Sequence, residues 1–278
     1  MVQPAQQQAD LPADLTVASR DTSAVSGAEP APLVVVDRVS KAFPRVQALQ
    51  GISFAIRPGE RVALVGPSGS GKTTLLNLLS GMEQPDAGSL SIEGRRLSQG
   101  RRRRELSRLV GLIHQQYDLV PQLPVLHNVL AGRFGRWGVF RSALSLVWPQ
   151  DYGLAAAALA RLGIADKLQE RTSHLSGGEQ QRVAIARLMV QSPRLTLADE
   201  PVASLDPARA DDLMQLLVSI VAEAKKTLIA SLHSTHLTRK YFTRAIGLRE
   251  GALEFDLPVE HLTDATLNRL YNLAPSRS

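Results

Sequence analysis

Apolar positions in this chain fall mainly into short runs of strand length, separated by turn residues and by stretches with helical spacing. Leu33-Val34-Val35-Val36 opens the patterned part as a strand, and Val46 to about Ile56 follows as a second, ended by Pro58-Gly59. Further strands are predicted at Arg61 to Val65, Ser89 to Ile92, Leu109 to His114, Arg194 to Ala198, Thr227 to Ser231, Ala245 to Leu248 and Leu253 to Phe255. The leucine-rich stretch Thr73 to Ser80, stopped by Gly81, reads as a helix, as do Val125 to Leu130, Leu154 to Leu162 and about Val259 to Tyr271. Another helix opens with Asp206 as N-cap and Pro207 at its first position. Its Leu213, Leu216, Leu217, Ile220 and Val221 form a core stripe at i, i+3, i+4, i+7 and i+8. Strands alternating with helices predict an α/β fold, with residues 117 to 173 as a helical insertion.

Residues 1 to 31 break this pattern, being rich in Gln, Ala, Asp, Ser and Pro with few large apolar side chains. Such a segment buries too little surface to offset its ordering entropy, so it reads as a disordered tail ahead of one domain over 32 to 278. The tail is acidic, with a balance of −3 from Asp10, Asp14, Asp21, Glu29 and Arg20, so within the formal net charge of +6 the body carries +9. A basic body suits nucleic acid, an anionic membrane surface or simple solubility. Aromatics at 4% leave few platforms for stacking bases, so no nucleic-acid partner is expected. Arg101 to Arg104 point all round a helix axis and read as a solvated face, with an acidic or phospholipid surface as the lesser alternative. The chain has no cysteine, which removes disulfides and thiolate chemistry and fits a reducing compartment. No apolar run reaches the length of a membrane span; the nearest, Ser142 to Trp148, stops at Pro149. The N-terminus lacks the basic start and apolar core of a secretory signal. A cytoplasmic location is expected, with any membrane role exercised through partners.

Chemistry enters at Gly66-Pro67-Ser68-Gly69-Ser70-Gly71-Lys72-Thr73-Thr74, which fits the phosphate-binding pattern G-x-x-x-x-G-K-[ST] between a predicted strand and a predicted helix. Its glycines let the backbone turn N–H groups toward phosphate oxygens, and the helix N-terminus adds partial positive charge. Lys72 would reach the β- and γ-phosphates, and the Thr73 hydroxyl would help hold Mg²⁺.

A second unusual stretch is Leu175-Ser176-Gly177-Gly178-Glu179-Gln180-Gln181-Arg182. Ser176 and Glu179 form a capping box, which accounts for both residues without any function. The box does not explain Gly177-Gly178, each costing up to ~1 kcal/mol against Ala in a first helical turn. A visitor approaching the backbone closely, naturally an anion, would explain them. Asp199, ending a buried strand, sits where an α/β nucleotide enzyme places a Mg²⁺-binding carboxylate, and Glu200 is placed to orient and deprotonate a water. His233, just past a strand end, lies on the edge where such folds bind ligands, with His236 as a rival. Phe43, in a loop-like context, either stacks on an adenine ring or joins the core.

Taken together, these residues resemble the ATPase subunit of ABC transporters over roughly residues 33 to 273. GPSGSGKT (66 to 73) resembles the Walker A motif, LSGGEQ (175 to 180) the family signature, and LTLADE (195 to 200) Walker B with its catalytic glutamate. SLDP (204 to 207) resembles the D-loop, Gln115 the Q-loop glutamine, His233 the switch histidine, and Phe43 the aromatic that packs on adenine. The resemblance implies an ABC-type P-loop NTPase with an N-terminal antiparallel β region and a helical subdomain at about 117 to 190. It implies a head-to-tail dimer of two copies binding two ATP, with the signature of one copy completing the phosphate site of the other. Lys72 and the loop through Thr74 then bind phosphate, Thr73, Asp199 and Gln115 organise Mg²⁺, and Glu200 polarises water. His233 and Gln115 sense the γ-phosphate, and Ser176, Gly177, Gly178, Glu179 and Asp206 contact nucleotide at the interface.

At the subfamily level, VLHNVLAGR (125 to 133), RSALSLVWP (141 to 149), DEPVASLDP (199 to 207) and PVEHLTDATLNRLY (258 to 271) resemble importers of phosphonates and related phosphorus oxyanions. His114 replaces a usual Phe, and Leu257 a common Gly. This likeness implies permease subunits, a solute-binding protein and a place on the cytoplasmic face of the inner membrane. The alternatives are import of another solute, export, or a nucleic-acid-linked ATPase outside transport. The last predicts coiled-coil or duplicated nucleotide domains, which this sequence lacks.

Overall fold

In the computed structural model, residues 31–97, 103–114, 117–137, 150–203 and 205–271 are described. The expectations for the tail before residue 31, for Arg101, Arg102, Gln115 and Ser204, and for the Ser142 to Trp148 run lie outside these residues. Ala31–Ser278 forms one compact unit.

Among the described residues, two sheets form. The first runs β2 (Val46–Ile56), β1 (Val34–Phe43), β4 (Ala87–Ile92), β5 (Arg95–Arg96), with antiparallel pairs throughout. The second runs β10 (Ala252–Pro258), β9 (Arg244–Arg249), β3 (Arg61–Val65), β8 (Thr227–Ser231), β7 (Leu195–Asp199), β6 (Val110–Ile113). Its pairs are parallel except β9 with β10.

Burial on both faces explains why the interiors of β7 and β8 are largely apolar, for every residue of each strand is buried, Thr196, Asp199, Thr227 and Ser231 included. Alternation then divides their side chains between two cores. Val62, Leu64, Leu195, Leu197, Ile229 and Ile246 pack with β1, β2 and α1 (Lys72–Ser80). Ala63, Val65, Ala198, Leu228, Ala230 and Ala245 face the other way, toward the remaining helices. These include α3 (Val125–Leu130), α4 (Tyr152–Arg161), α5 (Gly177–Gln191) and α6 (Pro207–Glu223). The helices α3, α4 and α5 fall between β6 and β7, the stretch read from sequence as the helical insertion. A short helix α2 (Arg103–Leu109) precedes β6, and α7 (Thr235–Tyr241) follows β8.

Beyond β5 and α7, which the sequence pattern did not predict, the structure departs from the sequence expectations at two places. β1 continues to Phe43, because a bulge with Arg38 at φ 46° turns the exposed Asp37-Arg38 pair outward and lets pairing resume at Val39. Phe43 is thus a strand residue paired with Val46, and at 39% exposure it is not a core residue. The helix expected from about Val259 is broken: Val259–His261 is a single 3₁₀ turn, Leu262 is extended, and α8 is Asp264–Tyr271. The Thr263 hydroxyl accepts the Thr266 N–H at 3.2 Å, so a local side-chain cap competes with a continuous helix and sets its start.

Candidate functional site

The C-terminal ends of β3, β8 and β7 lie side by side, which brings the phosphate loop, His233 and the Asp199-Glu200 pair to one edge. The loop leaves β3 at Gly66, where φ is 148° and an added Cβ would lie 2.1 Å from the Leu248 carbonyl oxygen. It re-enters at Gly71, φ 102°, where a Cβ would lie 2.4 Å from the Ala48 carbonyl oxygen. Glycine is required at both by backbone conformation and by space. Gly71 is the N-cap of α1 and has no side chain to offer the first-turn amides. The helix therefore begins with donors free for an anion.

Lys72 is 5% exposed, and its Nζ donates to the Gly66 and Pro67 carbonyls at 2.8 and 3.1 Å. Burial pushes its ammonium below the ordinary lysine value, while the Glu200 and Asp199 carboxylates oppose that shift.

On the opposite side, the Asp199 carboxylate is buried and one oxygen, Oδ1, accepts from two hydroxyls. Thr73 Oγ1 donates at 3.2 Å and Ser231 Oγ at 2.7 Å. The Ser231 oxygen also accepts the Glu200 N–H at 2.8 Å. Glu200 sits at φ 48°, a left-handed conformation costing a non-glycine residue about 1–3 kcal/mol, and this bond helps hold it. Its Oε1 lies 2.6 Å from His233 Nε2. The rival His236 is exposed on α7, 3.9 Å from Asp211 and without a contact to this chain of groups. The structure brings Thr73, Asp199, Glu200 and His233 into one hydrogen-bonded group through Ser231, with Lys72 bonded to the loop carbonyls of Gly66 and Pro67.

Ser231 was not among the sequence candidates, although a polar residue closing an otherwise apolar strand was a usable signal. Tyr271 was another omission: its hydroxyl accepts the Gly66 N–H at 3.2 Å, tying α8 to the phosphate loop. Burial pushes the Tyr271 phenol up, and the Gly66 N–H acts against this.

Phe43 presents a half-exposed ring with the Lys41 ammonium 5.4 Å from its centroid. Its pairing partner Val46 lies two residues before Ala48, whose carbonyl abuts Gly71.

The Ser176 region forms a separate surface. Ser176 caps α5 in a complete capping box, its N–H donating to Glu179 Oε2 at 2.8 Å and its Oγ accepting from the Glu179 N–H. The Ser176 hydroxyl, donating to Glu179 Oε2 at 2.7 Å, and then the Ser176 N–H hold the Glu179 carboxyl below its ordinary value. A Cβ built on Gly177 or Gly178 meets nothing within 4 Å among the described residues, so the chain's own packing gives no reason for the glycines. The surface is a cleft of about 750 Å³ lined by Ser176 to Glu179 with Tyr117, Leu205 and Arg209, and no phosphate-loop residue lines it. Asp206 spends its Oδ1 on the Arg209 N–H at 3.1 Å, as the N-cap of α6.

Two further α5 residues bond to the segment at Tyr117, and one of them, Gln181, itself lines the cleft. Arg187 donates to the Tyr117 and Asp118 carbonyls, both at 2.8 Å, and burial pushes its guanidinium below the ordinary arginine value, with the Asp118 carboxylate opposing. Gln181 Nε2 donates to the Tyr117 hydroxyl.

Among the described residues, no group of three or more His, Cys, Asp or Glu side chains converges as a metal cage. The converging Thr73 hydroxyl and Asp199 carboxylate instead fit a small hard cation held largely by phosphate and water. No helix among the described residues is long and apolar enough to cross a membrane.

A family model described as ABC transporter matches residues 49–203. The Phosphonates import ATP-binding protein PhnC 1 of Pseudomonas syringae pathovar tomato is 47% identical over 226 residues, covering 81% of this chain and 85% of that protein. The Phosphonates import ATP-binding protein PhnC 1 of a Nostoc species is 43% identical over 245 residues, covering 87% and 92%. Among solved structures, the dimeric post-hydrolysis state of the ATP-binding cassette MJ0796 bound to ADP and Pi superposes with a TM-score of 0.70 at 30% identity, covering 82% of this chain and all of that one. The ADP conformation of the cassette MJ1267 shares the fold, with a TM-score of 0.72 at 23% identity over 86% of this chain and 94% of that one.

Proposed function

The chain belongs to the ABC transporter family, and from that membership we propose that it is the ATP-hydrolysing subunit of an importer of phosphonate or a related phosphorus oxyanion. The observation that carries the ATPase reading is the unbroken relay Thr73–Asp199–Ser231–Glu200–His233 beside a phosphate loop with free first-turn amides. The solute rests on the names of relatives that are 43–47% identical to this chain.

In this reading the loop amides and Lys72 bind the β- and γ-phosphates, and Phe43 packs on adenine. Thr73, Asp199 and Gln115 would hold Mg²⁺, which supplies charge neutralisation between the β- and γ-phosphates. Glu200 accepts a proton from the attacking water, and its short contact to His233 fixes the carboxylate direction. His233 and Gln115 respond to the presence of the γ-phosphate. The open Ser176 to Glu179 surface, with Asp206 at its margin, serves the nucleotide of a second copy in a head-to-tail dimer. Residues 117 to 190 act as the helical subdomain, and the dimer works against permease subunits at the cytoplasmic face of the membrane. A solute-binding protein completes the system and, with the permease, selects the solute.

Reconstitution with the permease and binding protein of the same system tests this. Phosphonate, phosphite and phosphate are compared for stimulation of ATP hydrolysis. Stimulation by a phosphorus oxyanion is expected. Hydrolysis indifferent to all three, but raised by an unrelated solute, would reassign the transporter.

A further inference from the structure

We propose that Gly251, at the tip of the β9–β10 hairpin, is a positioning residue for the phosphate loop: its N–H orients the Ser70–Gly71 peptide so that the Gly71 amide faces bound phosphate. The proposal deepens the nucleotide-binding reading above and rests on it.

β9 and β10 are joined by the two-residue turn Glu250-Gly251, with Arg249 paired to Ala252 and φ of 51° and 79° at the turn residues. Positive φ at both positions is what a tight turn between twisted antiparallel strands demands, so the turn alone accounts for a glycine. It does not account for where that glycine sits. Connecting segments ordinarily run over the surface, yet Gly251 is buried. Its N–H donates to the Ser70 carbonyl of the phosphate loop at 3.2 Å, and its carbonyl accepts the Gln50 N–H of β2 at 2.8 Å. The Gln50 side chain adds a bond from Nε2 to the Glu250 carbonyl at 2.6 Å. A Cβ built on Gly251 would lie 2.8 Å from the Ala48 carbonyl oxygen, the same atom that lies 2.4 Å from a Cβ built on Gly71. Hairpin tip, β2 and phosphate loop therefore meet at one carbonyl.

A trans peptide is planar, with its C=O and N–H pointing in opposite directions. Holding the Ser70 carbonyl on Gly251 therefore aims the Gly71 N–H away from the hairpin, and that amide then faces the phosphate. The other end of the loop is held from the same stretch of chain. Tyr271 accepts the Gly66 N–H, and Arg249 Nη1 ties the hairpin to α8 by donating to the Arg269 carbonyl at 3.1 Å.

The β4–β5 hairpin supplies a matched comparison. Its turn is also Glu-Gly, Glu93-Gly94, with φ of 51° and 69° and with Ile92 paired to Arg95. A Cβ built on Gly94 meets nothing within 4 Å among the described residues. The two turns share sequence and backbone conformation and differ in what lies against the glycine.

The test compares Gly251→Ala with Gly94→Ala in the full chain. Both force an alanine into left-handed backbone, and only the first also presses on the Ala48 carbonyl beside the loop. Displacement of a fluorescent ADP analogue by ADP, inorganic pyrophosphate and adenosine gives the affinities. In Gly251→Ala, affinity for ADP and pyrophosphate should fall about tenfold, the scale of a lost hydrogen bond, with adenosine within about twofold. Gly94→Ala should hold all three within about twofold. Unchanged pyrophosphate affinity in folded Gly251→Ala overturns the proposal. So does an equal loss of adenosine affinity, which marks general loosening, and so does an equal loss in Gly94→Ala, which marks turn strain alone. Should Gly251→Ala not fold, Gln50→Leu, at an exposed position, is read by the same criteria, with a loss of about threefold expected for ADP and pyrophosphate. A wild-type chain that binds neither ADP nor pyrophosphate refutes the nucleotide reading itself, and the positioning role with it.

Discussion

Replacing Ser231 by Ala removes one oxygen and leaves a fully buried methyl in its place, so packing is nearly conserved while two hydrogen bonds vanish. The bond at 2.7 Å to the Asp199 carboxylate is charge-assisted, a class that contributes about 1.5–3 kcal/mol. The bond from the Glu200 N–H at 2.8 Å is a neutral one of about 0.5–1.5 kcal/mol, and it holds a left-handed residue. Part of the total appears as lost stability, about 2 kcal/mol, or roughly 4–8 °C in Tm for a domain of this size. The rest appears in turnover, because both carboxylates of the site lose the group that registers them to each other. A fall in kcat of about 10- to 100-fold is expected. ATP affinity should change by less than about threefold, since the loop amides and Lys72 are untouched. Phosphate release at saturating MgATP, binding of a fluorescent ATP analogue and thermal unfolding give the three quantities. A folded variant with kcat within about twofold of wild type refutes the reasoning, even if its Tm falls, because Ser231 would then be only a structural strut.

Gly177→Ala separates folding from function: nothing lies within 4 Å of the new Cβ, so helix propensity should raise stability by about 0.5–1 kcal/mol. ATP-dependent dimerisation should weaken in the same variant, measured by sedimentation, and a stabilised chain that dimerises normally would remove the reason given for the glycine pair. Tyr271→Phe deletes the hydroxyl that accepts the Gly66 N–H and should cost about 1 kcal/mol in chemical denaturation. Its KM for ATP should rise with kcat nearly constant, and a changed kcat at constant KM would place the tyrosine in the chemistry rather than under the loop.

Features written in consecutive residues were legible in the sequence. The phosphate loop, the Ser176 capping box and the Asp206-Pro207 helix start each depend on neighbours within a few positions, and each is found as expected. Asp199 and His233 were legible because a strand end is also a local feature. Ser231 was missed because its meaning arises only when β7 and β8 pair Asp199 with Ser231, a register that no single strand encodes. The contact of Tyr271 with Gly66 spans 205 positions, and that of Arg187 with Tyr117 spans 70, so both depend on how helices seat against loops. Phe43 was misplaced for a different reason. The Asp37-Arg38 bulge breaks the alternation that would have carried β1 to the ring. In α8, apolar spacing suggested continuity from Val259, and the Thr263 cap overrode it.

The central claim is that one chain holds half of each hydrolytic site: a phosphate loop in one place and an open Ser176 surface in another. Specific ATPase activity as a function of protein concentration tests it most directly, with oligomeric state followed by sedimentation in the same solutions. The account predicts that activity per chain falls toward zero as dilution converts dimer to monomer, while the monomer still binds ATP. Constant activity per chain in demonstrably monomeric solution would contradict it.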